Sequence, residues 1–144
     1  MAKRSAPDWY YEQSSVIPFR RGQRGVEILL ITSRGKKRWI FPKGVIDPGL
    51  SARASARKEA REEGGIEGRV LQEPIGEYSY EKWNGTCRVQ VFALLVRSLQ
   101  DDWDEKDFRR RKWVSADKAM DMLDRKDLRV MLKRFLRNLD AFIS

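Results

Sequence analysis

Lys58-Glu59-Ala60-Arg61-Glu62-Glu63-Gly64-Gly65-Ile66, with Lys43-Gly44 upstream, is the stretch on which the reading of this chain turns. Glu59, Glu62 and Glu63 stand at i, i+3 and i+4. An α-helix advances about 100° per residue, so Glu63 lies about 40° to one side of Glu59 and Glu62 about 60° to the other. Three carboxylates on one face repel one another unless a cation sits among them. Hard divalent ions accept such oxygen ligands, usually one or two carboxylates together with water and substrate phosphates. The plainer alternative is a solvated helix face whose acids pair with lysine or arginine one turn away. Against it, Arg53, Arg57 and Arg61 repeat every four residues and fall about 120–200° around the helix from Glu59, so the two signs are partly segregated. The ends suit a helix from about Ser51 to Glu63. Asp47-Pro48-Gly49 is a turn, Ser51 an N-cap and Gly64-Gly65 a stop.

Composition narrows the chemistry. The chain has 144 residues, 41% hydrophobic and 10% aromatic, as one globular domain over 1–144 requires. Its net charge is +9, which favours anionic partners: nucleotides, nucleic acid, inositol phosphates or an anionic membrane surface. One cysteine, Cys87, and no histidine exclude a disulfide within the chain, a Cys/His zinc site and Ser-His or Cys-His nucleophiles. Any general base is then a carboxylate, a lysine, a tyrosine or metal-bound hydroxide. Met1–Tyr11 is polar and basic and does not read as a signal peptide. No apolar run approaches the roughly 20 residues needed to cross a bilayer. The expected location is cytoplasmic, with no membrane partner.

Outward from the acidic stretch, short β-rich runs alternate with helices. Ser14–Arg20 and Val26–Thr32 read as a hairpin, Trp39-Ile40-Phe41 as a short strand, and Arg69–Tyr80 and Cys87–Val96 as long strands joined at Asn84-Gly85, a type I′ signal. Gln100–Phe108 reads as an acidic loop and Arg109–Ser115 as a last strand. Ser115 caps a helix to about Leu123, and an amphipathic helix runs from about Asp127 to Phe142, with Leu128, Met131, Leu132, Phe135, Leu139 and Phe142 as its apolar stripe. Strands on both sides of one central helix, with a closing helix, predict a mixed sheet layered between helices.

The stretch from Gly44 to Ile66 resembles the Nudix box, G-x5-E-x7-R-E-U-x-E-E-x-G-U with U aliphatic. Gly44, Glu59, Glu62, Glu63, Gly65 and Ile66 match, and Ala60 fills the inner aliphatic slot. Leu50 stands in place of the first glutamate and Lys58 in place of the arginine. Lysine keeps the arginine's charge but loses its bidentate fork, so the resemblance implies a weaker or retuned site. It also implies an α/β fold, a Nudix-type α/β/α sandwich with a mixed β-sheet. It implies Mg²⁺ or Mn²⁺, one to three ions, held by Glu59, Glu62, Glu63 and the carbonyl of Lys43. Glu59 and Glu62 become the candidate catalytic bases. Glu105 is a further candidate, weighed against an ordinary exposed loop acid.

Ser33-Arg34-Gly35-Lys36-Lys37-Arg38 packs four cations into six residues just before the box; it reads either as a solvated turn or as an anion-binding loop. Phe19-Arg20, Thr32-Ser33-Arg34, Arg38-Trp39 and Arg88 resemble the diphosphoinositol polyphosphate and diadenosine polyphosphate hydrolase branch. That resemblance implies Arg20, Ser33, Arg34, Arg38 and Arg88 as substrate-binding residues. Pro42-Lys43-Gly44 also occurs in members acting on nucleoside polyphosphates and RNA caps. The expected activity is hydrolysis of a pyrophosphate bond in a nucleoside- or inositol-linked polyphosphate. The alternative is a non-catalytic module binding phosphorylated ligands or RNA.

Overall fold

The computed structural model describes residues 10–139. Its strands are β1 (Tyr10–Gly22), β2 (Gly25–Thr32), β3 (Trp39–Ile40), β4 (Lys43–Val45), β5 (Ile66–Lys82), β6 (Gly85–Leu99) and β7 (Arg111–Ser115). The helices are α1 (Ala52–Gly64), α2 (Ala116–Met122) and α3 (Lys126–Arg137). One mixed sheet runs β3-β2-β1-β6-β5, with β4 added to β1 and β7 added to β2. β1 and β6 are parallel and the other pairs antiparallel.

Ile28-Leu29-Leu30-Ile31 is fully buried. A continuous apolar strand of this kind needs cover on both faces, and it has it. On one face Val16, Leu29, Phe92 and Leu94 pack against Ala56 and Ala60 of α1. On the other Ile17, Phe19, Val89 and Val91 pack with Leu128, Met131, Leu132 and Phe135 of α3. The two small alanines let α1 lie close to the sheet. The expected α/β/α layering is the one observed.

β1 forks. Its residues Gln13, Ser14 and Ser15 pair with β4, whereas Phe19 to Gly22 pair with β2. Pro18 lies between the two pairings, where the lack of an N–H strands no donor. The fork seats Lys43-Gly44 against α1. Because strand neighbours share a face, Gly44, opposite Ser14, faces α1, while Lys43, opposite Ser15, turns its side chain to the α3 face.

The box helix begins and ends as expected. Ser51 Oγ accepts from the Ala54 N–H at 3.0 Å, and Gly65 takes a left-handed φ of 63°. Three features differ from the sequence reading. The β5–β6 turn is centred on Trp83-Asn84 (φ 55° and 57°), because the register pairs Lys82 with Gly85 and so places Gly85 in the strand rather than in the turn. β4 was not anticipated, since three residues entered from Pro42 carry no periodic signal. The last helix starts at Lys126 and ends at Arg137; Phe142 lies outside the described residues.

Candidate active site

The C-terminal turn of α1 is tied down carbonyl by carbonyl. Helix ends leave orphan C=O groups, and here the 100–111 segment supplies their donors. Glu62 O accepts from the Glu105 N–H at 3.2 Å, Glu63 O from the Trp103 indole at 3.0 Å and Gly64 O from Arg111 at 2.8 Å. These bonds fix the backbone that carries the acids.

Glu63 is 8% exposed. Its carboxylate accepts from the Lys43 backbone N–H at 3.1 Å and faces Arg109 Nη2 at 3.5 Å. Burial outweighs the attraction of Arg109 and that hydrogen bond, and lifts its pKa to about 8. Glu59 is half-buried, and burial, then the neighbouring Glu62, raise its pKa as well. Its carboxyl group occupies the space above Gly44: a Cβ there would meet Glu59 Cδ at 2.2 Å. Glu62 is held by Lys58, whose ammonium lies 3.0 Å from both Glu62 and Asp47. These two carboxylates raise the Lys58 pKa, first Asp47 and then Glu62. Lys58 therefore has two carboxylate partners despite lacking a fork.

The donor set fits a hard divalent ion. Burial and like charge raise the pKa of two of the acids, a glycine leaves room for one of them, and Ser14, the strand partner of Gly44, is fully buried with no hydrogen-bond partner for its hydroxyl. Among the described residues no three acidic side chains converge into a ready cage. Lys58 draws Glu62 away and Arg109 draws Glu63.

A protein-family model described as NUDIX domain matches residues 11–137. The chain belongs to the Nudix family. It is 32% identical over 133 residues to Nudix hydrolase 21, chloroplastic, of Arabidopsis thaliana, covering 88% of this chain and 67% of that protein. It is 30% identical over 120 residues to the diphosphoinositol polyphosphate phosphohydrolase 3-alpha of Mus musculus, covering 81% and 71%. Other Arabidopsis Nudix hydrolases are matched over as little as 54% of their length, so the chain spans about half to two thirds of its plant relatives. Among solved structures, a C. elegans Ap4A hydrolase superposes with a TM-score of 0.75 over 91% of this chain and 99% of that one, at 21% identity, a likeness of fold.

Within this Nudix domain the expected site residues separate into groups. Glu59, Glu62 and Glu63 come together on α1 beside Lys43 and Gly44. Arg34 joins them through a relay: its Nη1 is 3.5 Å from Glu105, and Glu105 binds Arg109 Nε at 2.8 Å. Ser33 shapes that loop, its Oγ accepting from the N–H groups of Lys37 and Arg38 at 3.3 Å. The Arg38 side chain is exposed and makes no hydrogen bond among the described residues. Arg88 pairs with Glu12 at 3.0 Å on the outer half of β6. Arg20 stands apart. It pairs with Glu27 at 2.6 Å, stacks on Trp113 at 3.9 Å and lies five residues, roughly 16 Å, along β1 from the Lys43 pairing. The structure does not bring it to the acids.

One residue escaped the sequence reading, and others do more than it expected. Arg109 is 8% exposed and joins Glu63, Glu105 and the Thr32 carbonyl; in a charge-rich segment it reads as one more solvated cation. Glu105 is seated against the box rather than on an open loop. Lys43 contributes more than a backbone position. Its Nζ donates to Tyr80 OH at 3.0 Å, and Tyr80 donates on to Gln13 at 2.7 Å. Burial, then Arg125 and Lys82, lower the Lys43 pKa to about 8.

These shifts predict a stability minimum in the chelator-treated protein. Glu63 is raised from 4.5 to about 8, so its contribution is complete below about pH 4.5 and is lost as pH rises to about 8. Lys43 is lowered from 10.5 to about 8, so its contribution is complete above about 10.5 and is lost as pH falls to about 8. Urea midpoints should therefore be lowest near pH 8, and Glu63→Gln should flatten the acid limb, a change on the order of a few kcal/mol. Midpoints that do not differ between wild type and variant from pH 5.5 to 8 would contradict the burial argument.

Proposed function

We propose that this Nudix domain is a divalent-metal-dependent hydrolase of phosphoanhydride bonds in nucleoside- or inositol-linked polyphosphates. The observation that carries the reading is the seating of the Glu59 carboxyl in the space left by Gly44, with Glu62 and Glu63 braced beside it. Glu59, Glu62, Glu63 and the Lys43 carbonyl would hold Mg²⁺ or Mn²⁺. A bound ion of this kind neutralises phosphate oxygens and makes water a stronger nucleophile.

The chain's own groups do the rest. Glu59, its pKa raised by burial and by Glu62, is suited to take a proton from the attacking water, with Glu62 as the second candidate. The water oxygen bonds to one phosphorus, the bridging P–O bond breaks, and the bridging oxygen leaves on the other phosphate. Arg34, linked to the acids through the Glu105–Arg109 relay, would meet phosphate charge. On the α3 face, Lys43 and Arg125 flank Tyr80; Arg125 lies 5.0 Å above the ring. The names of the Mus musculus relative and of the C. elegans structure support diphosphoinositol polyphosphates and diadenosine polyphosphates as the compounds to try first.

The second reading, a module that binds without cutting, draws on Leu50, which lies outside α1, 40% exposed, where the box has its first glutamate. One experiment separates them. The protein is incubated with Mg²⁺ and a panel of diadenosine polyphosphates, diphosphoinositol phosphates, nucleoside diphosphate sugars and capped RNA. Turnover of at least one compound, abolished by EDTA and restored by Mn²⁺, is expected. Tight binding with no product from any of them would establish the module instead.

A cytoplasmic location belongs to the same reading. Among the described residues no helix is long and apolar enough to cross a membrane, and the plant relatives include proteins named chloroplastic and mitochondrial. Fluorescent tagging of the full-length protein tests the location, and organelle import would refute it.

A further inference from the structure

The flank of α1 turned away from the acids is a groove of about 850 Å³ bounded by β5 and β6. Arg53, Arg57, Lys58, Arg61, Arg69 and Arg97 line it, against one acid, Glu67. Elsewhere among the described residues, Arg20, Arg34, Arg88, Arg109 and Arg125 each have a carboxylate partner. In the groove the arginines do not. Arg53 donates to the Val70 carbonyl at 2.9 Å, and Arg57, Arg61, Arg69 and Arg97 have no hydrogen-bond or ion-pair partner among the described residues. Four like-charged guanidinium groups set against a single acid leave an excess of positive charge, an arrangement that an anionic ligand relieves.

The groove is shaped rather than incidental. Arg53, Arg57 and Arg61 form an i, i+4 ridge, with steps of about 6 Å along the helix. Across from it, β6 carries a bulge. Glu67 pairs with Ser98 and Gly68 with Val96, so Arg97 is the extra residue. A bulge re-aims the side chain it carries, and this one adds Arg97 to the wall of the groove. The close approach depends on Gly68, where a Cβ would lie 2.2 Å from the Leu95 carbonyl. The rim has also lost an acid: Leu50 lines the groove at the position where the Nudix box has glutamate. No aromatic side chain lines it, so nothing there would stack on a base.

We propose that this groove is a second anion site that holds a run of consecutive phosphates through guanidinium contacts and reads no base. The chemistry is common to the backbone of a single nucleic-acid strand and to an inorganic polyphosphate chain. The inference does not depend on hydrolysis at the acid cluster, because Arg57, Arg69 and Arg97 touch none of the groups assigned to it.

The test uses the whole protein in EDTA, with a labelled oligouridylate and, separately, inorganic polyphosphate as probes. Binding of either is expected, and which one binds names the source. At about −0.7 in log–log slope per phosphate contacted, four contacts weaken oligouridylate binding roughly 50-fold between about 50 and 200 mM salt. Arg57→Glu/Arg97→Glu should weaken it by more than tenfold. Leu50→Glu, which restores the missing rim acid, should produce a smaller loss. The Arg57→Glu/Arg97→Glu variant should turn over the small-molecule substrate like the wild type with Mg²⁺, which keeps this result separate from the fate of the proposed reaction. Unchanged affinity in the double variant, or equal competition by polyglutamate, would overturn the site.

Discussion

Glu59→Gln should cost the protein two to four orders of magnitude in kcat and leave it slightly harder to unfold. In the proposed reaction the loss follows from removing both a proton acceptor and an oxygen ligand; a positioned general base alone contributes about 10²–10⁴-fold. The gain in stability follows from the site's electrostatics. Burial and the Glu62 carboxylate both oppose ionisation of Glu59, and a neutral amide of the same shape removes that repulsion. Activity and thermal midpoint thus move in opposite directions, which a variant that merely misfolds cannot do. Steady-state kinetics on the best substrate of the panel, with melting curves in EDTA, read both quantities. A kcat within a few-fold of wild type would remove Glu59 from the chemistry, and Glu62→Gln would then become the decisive variant.

Gly44→Ala should lower kcat by about 100-fold, the loss that a displacement of about 1 Å at a reacting group can produce. The added methyl would fall 2.2 Å from Glu59 Cδ and 2.4 Å from its Oε2, so the carboxyl group must swing aside. It is the far end of a flexible side chain, so the fold absorbs the change at little cost. Gly44 does not need a positive φ, and alanine suits the strand backbone. We therefore expect a melting temperature within a few degrees of wild type and a weakened dependence on Mg²⁺. A fully active Gly44→Ala protein would mean that the seating of Glu59 has no bearing on catalysis.

Much of the architecture could be read from residue order, because the strongest signals are local. Ser51 and Gly65 bound the box helix, Ser115 caps α2, and the stripe Leu128-Met131-Leu132-Phe135 finds its core. Readings failed where tertiary context decided. Asn84-Gly85 is a strong turn pair, yet the register moves the turn one residue back, to Trp83-Asn84. β4 exists only because β1 offers it a free edge. At the site, the acids share a face as helix geometry requires, and family membership is settled by the match over 11–137. Arg109 was invisible because its importance lies in what it touches 46 residues away, Glu63. Arg20 lies five residues along β1 from the Lys43 pairing, a separation that became countable only once β4 was placed against β1.

The fork has a bearing on which changes of length the protein can survive. Val16, Ile17 and Pro18 separate the part of β1 that carries β4 from the part that carries β2, and all three are buried. Side chains alternate faces along a strand, so an insertion or deletion of one residue in this spacer turns one part over relative to the other. With the β2 part anchored in the core, a one-residue deletion would send the lysine ammonium toward the box helix and the glycine toward the far layer. The segment is short and apolar and belongs to no motif, yet its parity decides which side of the sheet each of Lys43 and Gly44 occupies.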